Sequence, residues 1–261
     1  MTAAFSGGTS LSTAWQLISR FSEDIDFKVA VTAPSKNAEI NLRKRYRDEV
    51  IRQLTGAGFV LDGELMARNK SQFIHASFHY GPIFPKAAAL RPTLQVEMTF
   101  SGTYLPPEPR PVTSLVSRFL KRPPEIGTLL CVAPLETPAD KLSALAWRTA
   151  ARDRTSPDDD PTIIRHLHDL AALEPKVEDD EELRSLTRRL LALDAKRAGV
   201  AGTDGLGLLR FMLPKMVGDQ LWQREYEQFV DAVSFGPDSE RISYGQALEA
   251  CGRLVERASK P

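Results

Sequence analysis

Apolar and polar positions in the first half of the chain alternate at two spacings. Apolar residues recur three to four positions apart in two segments, which predicts helices, and at about every second position in four others, which predicts strands. The helical segments are 9–20 and 38–55, and the strand-like segments are 24–31, 59–65, 71–80 and 93–100. The second and third strands are suited to a hairpin. The order α–β–α–β–β–β predicts an α+β domain with a mixed sheet.

The second half of the chain is predicted to be mainly helical. Residues 105–111 are rich in proline and predict a connection rather than a strand, and a short helix at 113–121 and a short strand at 128–134 follow. From Pro138 onward the helical pattern runs through six segments, at 140–153, 163–173, 180–197, 207–217, 220–233 and 244–258. Acidic runs at 158–161 and 178–182 are expected to cap helices or lie in loops. We therefore expect a mixed α/β core at 1–125 and a mainly helical domain at 126–261.

Composition and charge add a second division of the chain. The sequence is 42% hydrophobic and 26% charged, as in an ordinary globular protein. Its 34 basic and 34 acidic residues cancel, which argues against a protein that binds nucleic acid over its whole surface. However, residues 1–125 carry 16 basic and 11 acidic residues (+5), and residues 126–261 carry 18 and 23 (−5). This split predicts two modules and an anionic partner for the first.

Several classes of protein are not expected from this sequence. No apolar run approaches the roughly 18 residues of a transmembrane helix, and the N-terminus lacks the basic and apolar regions of a signal peptide. The two cysteines, Cys131 and Cys251, are too few for a disulfide framework or a four-cysteine zinc site. They fit buried thiols in a reducing compartment. We expect a cytoplasmic protein with no membrane partner.

Two acidic residues in the first predicted strand are candidates for metal binding. Asp24 and Asp26 lie two positions apart, so their side chains project from one face of the strand, roughly 7 Å from each other. Two carboxylates on one face repel each other unless solvent or a cation compensates. Mg²⁺ is a suitable cation because it takes hard oxygen ligands and keeps positions open for phosphates.

A glycine pair upstream of these acids is typical of a phosphate-binding turn. Gly7 and Gly8 lack Cβ atoms, so the backbone there can approach a phosphate closely. Thr9 and Ser10 add hydroxyls and amides at the start of the predicted helix, where the helix dipole favours an anion. The order of phosphate-binding turn, helix and acidic strand predicts a site for a metal-bound phosphate ester.

These residues resemble the nucleotidyltransferase superfamily that shares a DNA polymerase β-like core. Within it, the closest likeness is to the AbiEii/AbiGii (MenT-like) toxins of type IV toxin–antitoxin and abortive-infection systems. Their motifs G-G-T-[AS]-L and R-[FL]-S-[ET]-D-[IL]-D match residues 7–11 and 20–26, and two later helical motifs match 139–145 and 165–170. The resemblance covers about residues 4–172 and implies a mixed β-sheet with flanking helices, followed by an all-helical C-terminal domain.

The resemblance also implies roles for individual residues. The nucleotide-binding candidates are Gly7, Gly8, Thr9, Ser10, Arg20 and Lys141, and the catalytic candidates are Asp24, Asp26, Glu97, Lys141 and Asp169. Asp24 and Asp26 would hold Mg²⁺ with the triphosphate. Asp169 would position the nucleotide or Lys141. Relatives often carry a lysine after the first motif, where this chain has Ser12 and Thr13, so the triphosphate contact would depend on Lys141 and Arg20.

Glu97 is the candidate for a third acidic residue. In this superfamily a third carboxylate often lies on a neighbouring strand, and Glu97 is the only acid within the strand-like segment 93–100. Gln95 and Thr99 share its predicted face, which would then be polar. Glu97 would be a metal ligand or a base, and the alternative is an ion pair on an exposed face.

The implied function is a Mg²⁺-dependent toxin that transfers NMP from an NTP to RNA, with a tRNA 3′ end as the expected acceptor. One or two metal ions are expected, with a cognate antitoxin as a further partner. One alternative is transfer to a hydroxyl of a small molecule or a protein. Another is a binding protein that keeps the fold without catalysis, although retention of Asp24, Asp26, Lys141 and Asp169 argues against it.

Other candidates have weaker support. The basic segment 43–47 would contact the acceptor's phosphates or form a solvated helix face. His75 and His79 lack the nearby acids or thiols of a zinc site. His166 and His168, beside Asp169, have either a site role or a packing role. Helical spacing favours core packing over base stacking for the aromatic residues Trp147, Phe211, Trp222, Tyr226 and Phe229.

Overall fold

The computed structural model describes residues 1–81, 93–157, 159–195, 205–237 and 241–260. The chain forms two compact units. The first contains Met1–Gln16 and Phe21–Ala133, and the second contains Leu17–Arg20 and Pro134–Pro261. None of the helices in the described part of the chain has the length and apolar composition needed to cross a membrane.

The first unit is built on a mixed sheet, as the sequence predicts. Its strands are β1 (Thr2–Ser6), β2 (Asp24–Ala30), β3 (Val60–Arg68), β4 (Phe73–His79), β5 (Thr93–Thr99), β6 (Glu108–Val112) and β7 (Ile126–Cys131), in the spatial order β3-β4-β5-β2-β1-β7-β6. The pairs β2–β5 and β1–β7 are parallel, and the other pairs are antiparallel. The helices of this unit are α1 (Gly7–Thr13), α2 (Lys36–Gly56) and α3 (Leu115–Phe119).

One face of this sheet is apolar because each strand alternates. Ile25, Phe27 and Val29 of β2 project to the same side, where they pack in clusters with apolar residues of β4 and β5. The long helix α2 covers this face, and its contributions to these clusters are Tyr46, Val50, Ile51 and Leu54. The even-numbered residues of β2 therefore project from the other face.

Two of the predictions for this unit were wrong, and one strand was not predicted. The proline-rich segment 105–111 was expected to be a connection, but β6 begins within it. Because β6 is the edge strand, the missing N–H groups of Pro109 and Pro111 leave no central hydrogen bond unmade. The helix expected at 9–20 ends at Thr13, and Gln16 soon afterwards has a positive φ of 55°. The unpredicted strand is the short β1.

The second unit is helical, as predicted. Its helices are α4 (Glu136–Ala151), α5 (Arg165–Leu173), α6 (Asp180–Asp194), α7 (Gly205–Val217), α8 (Gln220–Val233) and α9 (Tyr244–Ser259). The last two residues of the predicted helix 180–197 lie outside the described residues. The core of this unit includes Leu142, Leu145, Leu167, Leu170, Leu183, Leu191, Met212 and Leu254, all of them almost completely buried.

Acidic residues cap helical segments of this unit as expected. The Asp179 carboxylate accepts hydrogen bonds from the N–H groups of Glu181 and Glu182, both at 3.0 Å, at the start of α6. Asp160 accepts one from the Thr162 N–H at 3.0 Å, where a 3₁₀ turn begins. Asp158 of the same acidic run lies outside the described residues.

The cysteines and aromatic residues are mostly where the sequence predicts. Cys131 and Cys251 are both buried free thiols, and burial raises the pKa of Cys251 to about 12. Trp222 and Tyr226 are fully buried in the core. Phe211 is an exception to the core prediction, because its side chain is 50% exposed on α7.

Candidate active site

The acidic residues of β2 lie on the sheet face opposite to α2. Asp24 and Asp26 alternate with Ile25 and Phe27, which face the helix. The parallel neighbour β5 continues this polar face, since Asp24 pairs in register with Gln95, Asp26 with Glu97 and Lys28 with Thr99. The predicted polar face of β5 therefore joins that of β2, with Asp26 and Glu97 side by side.

The register extends this polar face over four strands. His75 of β4 pairs with Glu97, Glu97 with Asp26, and Asp26 with Ser6 of β1. Sequence reasoning missed the place of His75 in this row, because it considered this histidine only with His79. The neighbour becomes visible only when β4 and β5 are set in register. His79 lies at the end of β4, where its Nε2 is 2.9 Å from Asp62 Oδ1.

Gly7 lies directly against the Asp26 carboxylate. Its φ is +71°, in the left-handed region that favours glycine. A Cβ atom at this position would lie 1.8 Å from Asp26 Oδ2. Glycine at position 7 therefore serves the acidic strand as well as the turn into α1.

The N-terminus of α1 presents main-chain amides beside these acids. The first N–H groups of a helix have no intrahelical partner, and the Ser6 side chain does not cap them. The Thr9 hydroxyl donates a hydrogen bond to the main-chain carbonyl of Asp24, which ties α1 to the start of β2. Ser10 is buried beside the Cys131 thiol. The groups best suited to an anion here are thus the amides at Gly7, Gly8 and Thr9.

The donor atoms on this face suit a hard divalent cation. Asp24, Asp26 and Glu97 offer carboxylate oxygens, which Mg²⁺ prefers. In the part of the chain that the structure describes, no group of three His, Cys, Asp or Glu side chains is arranged to hold a metal ion by itself. Mg²⁺ in phosphate-transferring sites is usually held by one or two carboxylates together with substrate phosphates. The residues present therefore fit an ion that binds together with a nucleotide.

The remaining candidate residues form a buried ionic cluster in the second unit. Asp169 is completely buried, and Arg20 binds it through two hydrogen bonds, Nε to Oδ1 at 2.6 Å and Nη2 to Oδ2 at 2.7 Å. Lys141 Nζ lies 2.7 Å from Asp169 Oδ2. The cluster of Arg20, Lys141 and Asp169 thus combines two cations with one carboxylate, and Arg20 also lies over the Phe229 ring.

Burial and charge act in opposite directions on this cluster. Burial alone would raise the pKa of Asp169, but the charges of Arg20 and Lys141 outweigh it and hold that pKa well below its usual range. Burial lowers the pKa of Lys141, and the attraction of Asp169 offsets part of this effect. Asp169 is therefore an anion that holds both cations in place.

The two histidines of α5 differ in their surroundings. His168 is buried, with its ring near those of Tyr226 and Phe229 and its Nδ1 3.5 Å from Asp169 Oδ1. This is a packing role beside the cluster. Both ring nitrogens of His166 are buried and have no hydrogen-bond partner among the described residues. Burial, with the nearby charge of Lys141, holds the pKa of His166 well below its usual range, so its imidazole is neutral.

The basic segment 43–47 lies away from the acidic face. It belongs to α2, which covers the apolar face of the sheet. Arg43 is buried and pairs with Glu39 one turn earlier. Lys44 and Arg45 are exposed on this helix. Of the two interpretations of this segment, the structure favours a solvated helix face for these two residues.

The candidate residues thus fall into two groups, one in each unit. Gly7, Gly8, Thr9, Ser10, Asp24, Asp26 and Glu97 belong to the first unit, and Arg20, Lys141 and Asp169 belong to the second. The pairing of Arg20 with Asp169, which are 149 positions apart, had no signal in the sequence.

Comparisons with known proteins point to one family. A family model described as "Nucleotidyl transferase AbiEii toxin, Type IV TA system" matches residues 2–250. Among solved structures, the chain is similar to MenT4, a nucleotidyltransferase toxin from Mycobacterium tuberculosis H37Rv. The TM-score is 0.53 and the sequence identity 20%, with 99% of this chain and 74% of that chain covered. At this identity the likeness concerns the fold alone. No curated protein matches the chain.

Proposed function

Because the chain belongs to the AbiEii family of nucleotidyltransferase toxins of type IV toxin–antitoxin systems, we propose that it transfers NMP from an NTP to an RNA hydroxyl. The proposed acceptor is the 3′ end of a tRNA, and pyrophosphate leaves. The observation that carries this proposal is the Gly7–Asp26–Glu97 arrangement, in which a glycine turn lies against the Asp26 carboxylate and Glu97 is the register neighbour of Asp26 on the adjacent strand. NTPs and tRNA meet in the cytoplasm, and we assign the reaction to that compartment.

Asp24 and Asp26 would hold the metal ion that accompanies the triphosphate, together with oxygens of its phosphates. Bound Mg²⁺, as one ion or two, would neutralise charge on the α-phosphate and make the acceptor hydroxyl more acidic. The α1 amides at Gly7, Gly8 and Thr9 would bind the outer phosphates. The family of nucleotidyltransferases implies both an NTP substrate and a divalent metal ion.

The protein would act mainly by positioning, and no protein nucleophile is required. The acceptor 3′-oxygen would attack the α-phosphorus in line, so that a new P–O bond forms while the bond to the β-phosphate oxygen breaks. Glu97 would accept the hydroxyl proton. The family resemblance implies a nucleotide-binding role for Lys141 and Arg20 of the second unit. Asp169 would be the positioning residue that holds them.

The first prediction concerns the acidic face. Incubation with Mg²⁺, each α-labelled NTP in turn and total tRNA is expected to label the RNA with at least one nucleotide. Asp26→Asn and Glu97→Gln are each expected to lower the initial rate by about a hundredfold or more, because Asn at position 26 would hold the metal ion poorly and Gln at position 97 would not accept the hydroxyl proton. EDTA is expected to abolish labelling, and added Mg²⁺ should restore it.

The matched control is Asp48→Asn, which removes an exposed carboxylate from α2 on the other side of the sheet. This variant is expected to label RNA at the wild-type rate. A labelled protein or small molecule with unlabelled RNA would contradict the RNA acceptor. NTP binding without any labelled product would instead favour a catalytically silent protein.

A further inference from the structure

Three apolar side chains, two on α3 and one at its C-cap, are unusually exposed. Val116 and Phe119 lie three positions apart and share one face of α3, and Leu120 directly follows as the C-cap; the three are 65%, 88% and 48% exposed. Phe119 is the most exposed of the large hydrophobic side chains in the described part of the chain. We call these three residues the α3 patch. Contiguous exposed apolar residues commonly mark interaction sites.

The surroundings of the α3 patch are positively charged. Arg118, Lys121 and Arg122 lie within or directly after α3, and Glu125 is the single acidic residue between positions 113 and 127. Both Glu125 oxygens are engaged by the N-terminal turn of α3, with Ser114 N–H at 2.9 Å from Oε2 and Ser117 Oγ at 2.6 Å from Oε1. These hydrogen bonds lower the pKa of Glu125 to about 2. Glu125 is thus an anion, and this segment carries one negative charge against the three positive charges of Arg118, Lys121 and Arg122.

The segment that carries the patch is attached to α1. The Thr113 N–H donates a hydrogen bond to the Thr13 carbonyl at 3.2 Å, and Arg118 Nη1 donates one to the Ser12 carbonyl at 3.1 Å. Both acceptors lie at the C-terminal end of α1, whose N-terminal end contains Gly7. A helix of seven residues is about 10 Å long. The segment that carries the patch is thus hydrogen-bonded to α1, the helix that begins beside the Asp26 carboxylate.

We propose that the α3 patch, together with Lys121 and Arg122, binds a single-stranded segment of the acceptor RNA. Phe119 stacks on a base, and the two cations bind neighbouring phosphates. This inference rests on the proposed function, because it assumes that the acceptor is RNA. An exposed aromatic residue flanked by cations is the combination that proteins use for single-stranded nucleic acid, since every base has a face that can stack.

The test is RNA binding measured without catalysis. The probe is a fluorescein-labelled single-stranded 12-nucleotide RNA with a 3′-deoxy end, titrated with the full chain and followed by fluorescence anisotropy. Phe119→Ala is expected to raise the Kd at least about fivefold. The double variant K121E/R122E is expected to raise it at least about tenfold and to reduce the slope of log K against log salt by about 1.4, for two lost phosphate contacts.

Two controls match these changes in chemistry. The variant K44E/R45E reverses two exposed charges on α2, on the other side of the sheet from the acidic face, and Phe211→Ala removes a half-exposed phenyl group from α7. Both are expected to bind the RNA with the wild-type Kd. An abasic probe of equal length should bind wild type and Phe119→Ala equally, because it leaves Phe119 no base to stack on.

The outcomes separate this inference from the proposed function. Wild-type labelling of tRNA with undiminished RNA binding by Phe119→Ala and K121E/R122E would overturn the inference and leave the function intact. Failure of the wild type to label any RNA would overturn the function, while the anisotropy series would still decide whether the patch binds RNA. Light scattering that shows a dimer of wild type and a monomer of Phe119→Ala would assign the patch to a second copy and overturn the inference.

Discussion

Gly7 illustrates how much a single position determines at this site. From the sequence, a glycine pair before a helix predicts only that the backbone approaches a phosphate. The structure adds two constraints that the sequence does not contain, a φ of +71° and the Asp26 carboxylate in the space of a Cβ atom. These constraints are separable, because Gly63 has nearly the same φ, +70°, with nothing within 4 Å of its Cβ position.

Gly7→Ala is therefore expected to impair nucleotide binding beyond its effect on stability. The left-handed conformation costs a non-glycine residue about 1–2 kcal/mol, and the added methyl group must also displace Asp26. Urea unfolding would measure the loss of stability, and calorimetric titration with Mg²⁺ and a non-hydrolysable NTP would measure the loss of nucleotide binding. Gly63→Ala is the control, with a similar loss of stability and unchanged nucleotide binding. Equal nucleotide binding by both variants would refute the role of Gly7 at Asp26.

Other residues at the site were beyond sequence reasoning for a different reason. Motif spacing singled out Arg20, Lys141 and Asp169, but it gave no indication that both cations bind the same carboxylate. Nor does it show that the Ser10 side chain is buried beside Cys131, although its motif position suggests a phosphate contact. Such facts depend on contacts between distant segments, which no local pattern encodes.

At the scale of helices and strands, the sequence predicted those elements whose apolar and polar residues alternate regularly. Segments such as β2 and α2 pack one face on a core, so their apolar spacing is regular and their extent was largely predicted. The edge strand β6 was missed because prolines, which exclude central strands, are tolerated at an edge. The short strand β1 had too few residues for a pattern, although it pairs with β2 along its whole length. The parallel β2–β5 register came only from the structure.

The contact between α1 and β2 leads to a prediction for Thr9. Its hydroxyl donates to the Asp24 carbonyl, so Thr9→Val keeps the shape of the side chain but leaves that carbonyl without this bond. We expect a loss of about 1 kcal/mol in the free energy of unfolding and a higher KM for NTP, since the strand carrying Asp24 is less well fixed. Urea unfolding and initial-rate kinetics would measure both.

Thr13→Val is the matched control for this change. The Thr13 hydroxyl donates to the Thr9 carbonyl at 2.6 Å, within α1 itself. Its loss is expected to affect stability to a similar degree and to leave the KM for NTP unchanged. Thr9→Ser, which keeps a hydroxyl, should recover most of the wild-type KM. If Thr9→Val and Thr13→Val raise KM equally, the contact with Asp24 is not what matters.

At the scale of the whole chain, the zero net charge is the sum of two different arrangements of charged side chains, one in each unit. The first unit places carboxylates together on a sheet face that suits a cation, within a sequence segment of positive net charge. The second unit buries two cations around one carboxylate, although the sequence segment that forms most of it is acidic overall. Family motifs predicted the residues of both groups. They also predicted the family, and the comparisons confirm the family.

The buried cluster makes the stability of the protein depend on pH through Asp169. Its pKa is lower in the folded state than its ordinary value of 3.8, so the stabilisation is fully present above about pH 4 and is lost as the pH falls through the lower, folded value. Asp169→Asn leaves Arg20 and Lys141 buried without their anion, which is expected to cost about 3–5 kcal/mol at pH 7. Urea unfolding at several pH values between 7 and 2 should show this difference from wild type shrinking below about pH 4.

The control is Asp231→Asn, which breaks the exposed pair with Arg241 and should cost no more than about 1 kcal/mol at pH 7. A difference between wild type and Asp169→Asn that stays constant down to pH 2 would mean that Asp169 is not held as an anion by the two cations.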